Sequence, residues 1–278
     1  MSAELSATAT VEEILSKKSV IELRELARSF YVKGSSKMRK VELISEVKAA
    51  LMIPERLEEL LYVLDSAAWQ TFRKAAETSE PVQLNLTESR WYQILHGLCY
   101  LHFITGNRSL ACNVPPEIRT VYNSLVTDGL IQRKKHYDQL HLYAEAAANL
   151  YGVISQDDFV ALFNSQNEDI TSKEELFDAL IRHIVVDAGY CFWDKYIVDI
   201  GFEDNGFADV SDLLAQIGDK PRYIPEKKEF LKYADWRYFE HNEHSRNLGD
   251  YLIHVCGVAP LLVPKIVTEL HELSLIHI

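Results

Sequence analysis

The chain has 278 residues, 29 of them Lys or Arg and 41 Asp or Glu, for a net charge of −12. With 47% hydrophobic and 25% charged residues it has the composition of a folded globular protein, long enough to bury a sizeable core and to divide into two or three domains. No run of 18 apolar residues is present and the opening MSAELSATAT lacks a basic-then-apolar leader pattern, so the expectation is a cytoplasmic protein without a membrane span.

Residues 1–10 are small and polar and read as disordered. A short lead-in helix is expected over 11–17, followed by the stretch on which the functional reading turns, residues 19–51. Ser19 and Glu22 have capping-box spacing, and Leu23, Leu26, Ala27 and Phe30 follow on one helical face. Arg24 and Arg28, four apart, share the other side. Gly34, Ser35 and Ser36 break the helix and supply caps for the next, which buries Leu43, Ile44, Val47 and Leu51.

Charge is gathered here. Between residues 16 and 48 nine Lys or Arg stand against four Glu, a local net of about +5, which leaves the remainder of the chain at about −17. The turn itself carries Lys33, Lys37, Arg39 and Lys40, and helix N-terminal amides behind it add a preference for anions. With Arg24 and Arg28 these are the candidate contacts to the phosphates of DNA or RNA.

The run Leu23-Arg24-x-Leu26-Ala27, Gly34, then Lys37-Met38-Arg39-Lys40-x-Glu42-Leu43-Ile44 resembles the N-terminal domain of the transcription termination factor Rho, a relative of the SAP helix-extended-helix module. The resemblance spans residues 11–52. Downstream there is no G-x-x-x-x-G-K-[ST], and nothing resembles Rho's RNA-binding barrel or its ATPase. The resemblance therefore implies a nucleic-acid-associated module, linked to transcription regulation or termination, without a motor.

Pro54 ends that module and starts a helix. Two units of similar plan are expected beyond it, over 55–128 and 138–240. In the first, helices over 66–77 and 90–99 precede a β-hairpin of residues 101–105 and 109–114, turning at Gly106-Asn107 with Arg108 as a basic tip, and then a closing helix over 117–126. In the second, Ser155 caps a helix to about Asn164, Thr171 or Ser172 caps another over 174–185, and residues 190–193 and 196–200 form a hairpin at Asp194-Lys195. An acidic insertion with a helix over 210–217 and a Pro225-initiated helix over 226–233 complete it.

The expected fold class is thus mainly α with two small β-hairpins: a Rho-N/SAP-like helical module followed by two winged-helix-like units. Winged helices often read DNA through their third helix. Here residues 174–183 would present carboxylates to phosphate, so protein contact or a structural role is the expectation, with Arg90 and Gln93 the test positions for DNA reading.

Residues 224–239 resemble a group of bacterial proteins, some of which pair a Rho-like N-terminal module with a C-terminal SEC-C zinc motif. No Cys-Cys-His-Cys cluster is present, so the implied alternative is a protein-interaction scaffold or adaptor that has lost that zinc motif. A C-terminal helical segment is expected over 241–272, Pro264 lying in the first turn of its last helix. The final LSLIHI, residues 273–278, reads as a translated sequencing-adapter end, with the native chain cut near Glu272.

Cys99, Cys112, Cys191 and Cys256 are far apart and read as reduced, mostly buried thiols. His241 and His244 lack metal-ligand spacing and read as an exposed helix start. His136 and His141 read as a polar loop, and His96 and His102 as satisfied, partly buried imidazoles. Glu203, Asp204, Asp209 and Asp212 form a solvated acidic patch, and Tyr190, Phe192, Trp193 and Tyr196 read as hairpin packing. With no nucleophile, phosphate or dinucleotide motif, the expectation is a non-enzyme without metal or cofactor.

Overall fold

The computed structural model describes residues 9–106, 109–218, 220–238 and 243–275. Two compact units divide the chain, Met1–Lys135 and His136–Ile278. The first contains α1 (Val11–Lys17), α2 (Val20–Ser29), α3 (Lys40–Leu51), α4 (Pro54–Val63), α5 (Ser66–Glu77), β1 (Val82–Leu84), α6 (Trp91–Gly97), β2 (His102–Thr105), β3 (Leu110–Asn113) and α7 (Pro116–Leu125). A long helix, α8 (Asp128–Tyr151), starts in the first unit and supplies residues to the second. The second then has β4 (Val153–Ser155), α9 (Gln156–Gln166), α10 (Lys173–Val186), β5 (Tyr190–Trp193), β6 (Tyr196–Asp199), α11 (Ala208–Ile217), α12 (Lys227–Phe230), α13 (Glu243–His254) and α14 (Val263–Leu275).

Local chemistry sets many of these starts. Thr10 and Ser19 each accept an amide of the first turn while Glu13 and Glu22 reach back to the cap amide, so α1 and α2 begin with reciprocal capping boxes. Asp65 caps α5 by accepting the Ala68 N–H at 2.8 Å, and Ser155 caps α9. Pro54 occupies the first turn of α4, where its missing N–H is harmless.

The chain is mainly helical, with two three-stranded antiparallel sheets of the same order, β1-β3-β2 and β4-β6-β5. Both expected hairpins are there, and each gains a third strand that was not expected. In the first sheet Val82 and Phe103 flank Cys112 from either side, and in the second Val153 and Cys191 flank Val198. The hairpin tip at Asn107 and Arg108 lies outside the described residues, as do Glu240, His241 and residues 1–8 of the expected disordered stretch. Ala9 is buried and Thr10 is the α1 cap, so order begins within that stretch.

One continuous core serves the whole first unit. Leu15, Leu23, Ala27, Leu43 and Val47 of the first three helices join Leu57, Leu61, Phe72, Tyr100, Ile118 and Tyr122. The expected boundary at Pro54 falls inside this unit. Glu117 on α7 ties it further: one carboxylate oxygen accepts the Val11 N–H at 3.1 Å, and the other lies 3.6 Å from the Lys48 ammonium.

Three local expectations are corrected. His136 and His141 lie within α8 rather than in a loop. The apolar stripe of that helix includes Lys134, 2% exposed, whose ammonium donates to the Leu64 carbonyl at 2.7 Å, and this charged residue in a buried position hides the periodicity. The second helix of the basic stretch starts at Lys40, and Ser35–Lys37 form a separate 3-10 turn, because Glu42 caps the Arg39 amide at 2.7 Å. The closing helix expected over 226–233 is four residues of α12 that tighten into a 3-10 turn, Leu231–Ala234.

Candidate nucleic-acid interface

The basic turn is built by the two helices around it. Burial of Leu23, Leu26, Ala27 and Phe30 fixes the inner face of α2, and Leu43, Val47 and Leu51 fix that of α3. Each leucine, valine or phenylalanine among them contributes roughly 1.5–3 kcal/mol when fully buried. At the C-terminus of α2 the Tyr31 N–H donates to the Arg28 carbonyl and the Val32 N–H to the Ala27 carbonyl, at 2.9 and 2.8 Å. This pair of bonds is a Schellman motif, which reverses the chain and requires a left-handed residue at position 31. Gly34, also left-handed at φ +76°, turns the chain again into the 3-10 turn.

The six candidate cations divide by environment. Arg28, Lys33, Lys37 and Arg39 are exposed, and none pairs with a carboxylate among the described residues. Arg24 is half-buried, with its Nε enclosed and without a hydrogen-bond acceptor. Lys40 is also half-buried and its ammonium donates to the Ser16 carbonyl at 2.7 Å, pinning α3 to the end of α1. Lys48, further along α3, is held by Glu12 at 3.0 Å and by Glu117. These surroundings separate cations free for an outside anion from those that brace the fold.

The expected anion preference of the α3 N-terminus is already answered within the chain, since the Glu42 carboxylate sits on the Arg39 amide. Hydrogen bonds to Ser19 likewise hold the Glu22 carboxyl below its ordinary range. One residue of this surface had no signal in the sequence pattern: Tyr31, between Arg28 and Lys33, is 87% exposed.

Elsewhere the chemistry is more enclosed. Burial pushes the thiols of Cys99 and Cys191 up to about 11 and that of Cys112 to about 12, which keeps them protonated at neutral pH, and Cys256 is exposed. No group of three or more His, Cys, Asp or Glu that could hold a metal is present among the described residues. His244 is exposed at the start of α13. His96 is satisfied by the Leu101 carbonyl at 3.2 Å and stacks on Phe103. His102 departs from expectation: its Nδ1 is buried without a hydrogen-bond acceptor or donor.

In the second unit His141 stacks on His183 at 3.9 Å between ring centroids and meets the Tyr190 hydroxyl at 3.0 Å. Glu145, one turn on, accepts the Gly189 N–H at 3.0 Å, and its own burial raises its carboxyl above the ordinary range. The aromatic hairpin packs as expected, Trp193 stacking on Tyr196 and Phe192 on Phe177 of α10.

With this geometry in place, comparison with known proteins gives one match. Residues 15–55 match the family model described as the Rho termination factor, N-terminal domain. The matched segment runs from the end of α1 through α2, the basic turn and α3 into the first turn of α4. No curated protein and no solved structure matches the chain. Among the described residues no helix is long and apolar enough to cross a membrane.

Proposed function

We propose that this is a non-enzymatic, nucleic-acid-associated protein whose Rho-type module contacts the phosphates of DNA or RNA. The observation that carries the reading is the exposed, unpaired set Arg28, Lys33, Lys37 and Arg39 on a chain whose other residues are strongly acidic. Arg24 and Lys40 complete the six candidates from half-buried positions, and Lys40 steadies the turn through its bond to the Ser16 carbonyl. Phosphate contacts of this number give weak, salt-sensitive binding, on the order of the 10⁻⁴–10⁻⁶ M non-specific range. A role in transcription regulation or termination follows from the family resemblance, and a cytoplasmic location fits it.

The test is titration of labelled single-stranded and duplex oligonucleotides against the intact chain at low salt. Binding by the wild type that is lost on changing Lys33, Lys37 and Arg39 together to Ala supports the reading. Absence of binding at low salt defeats it.

A second reading is favoured by one surface of the second unit. Helix α10, the third helix of the winged-helix-like plan, exposes Phe177 and Val185, 51% and 79% accessible, beside the carboxylates of Glu174 and Asp178. That surface repels phosphate and suits a protein, which makes an adaptor carrying both a nucleic-acid and a protein contact a coherent alternative. Loss of a co-purifying protein on Phe177→Ser, with nucleic-acid binding intact, distinguishes this role.

A further inference from the structure

We propose that Tyr31 is a base-stacking residue, so that the ligand of the basic turn is an unpaired strand with its bases accessible; the inference rests on the nucleic-acid reading above and deepens it. The argument starts from backbone conformation. Four non-glycine residues among those described have φ in the left-handed region: Tyr31 at 55°, Cys99 at 65°, Asp194 at 52° and Phe207 at 65°. A side chain with a Cβ is disfavoured there, so each position requires a compensating gain.

Three of the four show one. Cys99 occupies the same Schellman position after α6, and its side chain is fully buried in the core. Phe207 stacks on Trp193 at 6.1 Å between centroids. Asp194 sits in the two-residue turn of a hairpin, where a short polar side chain tolerates the left-handed region. Tyr31 shows none. Its ring is 87% exposed, with no hydrogen bond or ring contact to its side chain among the described residues. Three residues later the chain places Gly34 in the same backbone region, with open space around it.

A large, amphipathic ring is therefore held out to solvent at a position the fold would fill better with glycine. On either side in sequence stand Arg28 and Lys33, exposed and free of carboxylate partners. An aromatic face flanked by unpaired cations is the combination that binds single strands without base-edge readout, phosphates on the cations and a base on the ring. A duplex offers phosphates but no free base face. The chemistry is shared by single-stranded DNA and RNA, and the two are separate arms of the test.

The experiment uses the full chain and fluorescein-labelled 12-mers: dT12, U12, a duplex, and an all-abasic strand. Tyr31→Ala is expected to weaken binding of dT12 or U12 at least fivefold while leaving the duplex and the abasic strand within twofold. Tyr31→Phe retains wild-type affinity. Tyr31→Gly weakens the single strand as Ala does and raises the melting temperature, since it relieves the left-handed strain. Tyr31→Ala binding both single strands as the wild type does, while Lys37→Ala still weakens them, overturns the stacking role and leaves phosphate contact intact. A wild type that binds none of the probes overturns both. Whichever of dT12 and U12 shows the larger loss identifies the strand.

Discussion

Neutralising the free cations gives the sharpest test of the interface, because the structure assigns different outcomes to neighbouring lysines. Each phosphate neutralised on a single strand contributes about 0.7 to the slope of log K against log salt. Arg28, Lys33, Lys37 and Arg39 are exposed and unpaired. If all of them meet phosphate the slope is about 3, and affinity falls about 50-fold between 50 and 200 mM salt. Changing Lys33, Lys37 and Arg39 to Ala leaves one of these contacts, a slope of about 0.7 and a fall of only about threefold over the same range. Lys40 is the internal control. Its ammonium is committed to the Ser16 carbonyl, so Lys40→Ala is expected to lower thermal stability while moving the slope less than Lys37→Ala does. Fluorescence anisotropy at several salt concentrations, with a melting curve for each variant, reads both quantities. A slope unchanged in the triple variant refutes the assignment, and so does a Lys40 effect on slope as large as that of Lys37.

Removing the carboxylate in Glu117→Ala leaves the Val11 amide and the Lys48 ammonium without this acceptor and should destabilise the first unit by about 1–3 kcal/mol in urea unfolding. Burial holds His96 and His102 below the ordinary histidine range, so the unfolded chain takes up protons first; stability is full above about pH 6.5 and falls as pH drops below it. His102→Phe should flatten that acid loss, read as the melting temperature at pH 5 and pH 7. Glu145 has the opposite sign. Its burial raises the folded value, so ionisation near neutrality opposes folding and stability returns as pH falls through the raised value towards about 4.3. Glu145→Gln keeps an acceptor for the Gly189 N–H, and should equal or exceed the wild type at pH 7 while losing that acid gain.

Much of the architecture was legible because its causes are local. The capping pair Ser19 and Glu22, Pro54 in a first turn, and the alternation around Asp194-Lys195 each act within a few residues. Features missed are those decided at long range. Strands β1 and β4 are three residues each, too short to show alternation, and exist only because β3 and β6 offer them edges. Helix α8 was hidden by Lys134, a charge held in the core where the Leu64 carbonyl, 70 residues away, receives it. At the candidate site the cluster of positive charge was plain, but the commitment of Lys40 to a carbonyl 24 residues earlier was not. Nor was Tyr31, whose meaning depends on a backbone angle that sequence pattern does not report.

The charge division also limits how strongly the module can act. The rest of the chain carries about −17 against about +5 for residues 16–48, most of it in the second unit, and at 0.1 M salt the Debye length is about 10 Å. A strand seated on the basic turn therefore gains chiefly from the cations within about that distance, and added salt weakens those contacts. The measured slope should accordingly fall at or below the value set by the free cations, and oligonucleotides longer than the turn can cover should gain little affinity per added phosphate. Stacking on Tyr31 is indifferent to this balance, since a base carries no charge. Single-strand preference should thus widen as salt rises, the phosphate contribution fading while the ring contribution persists.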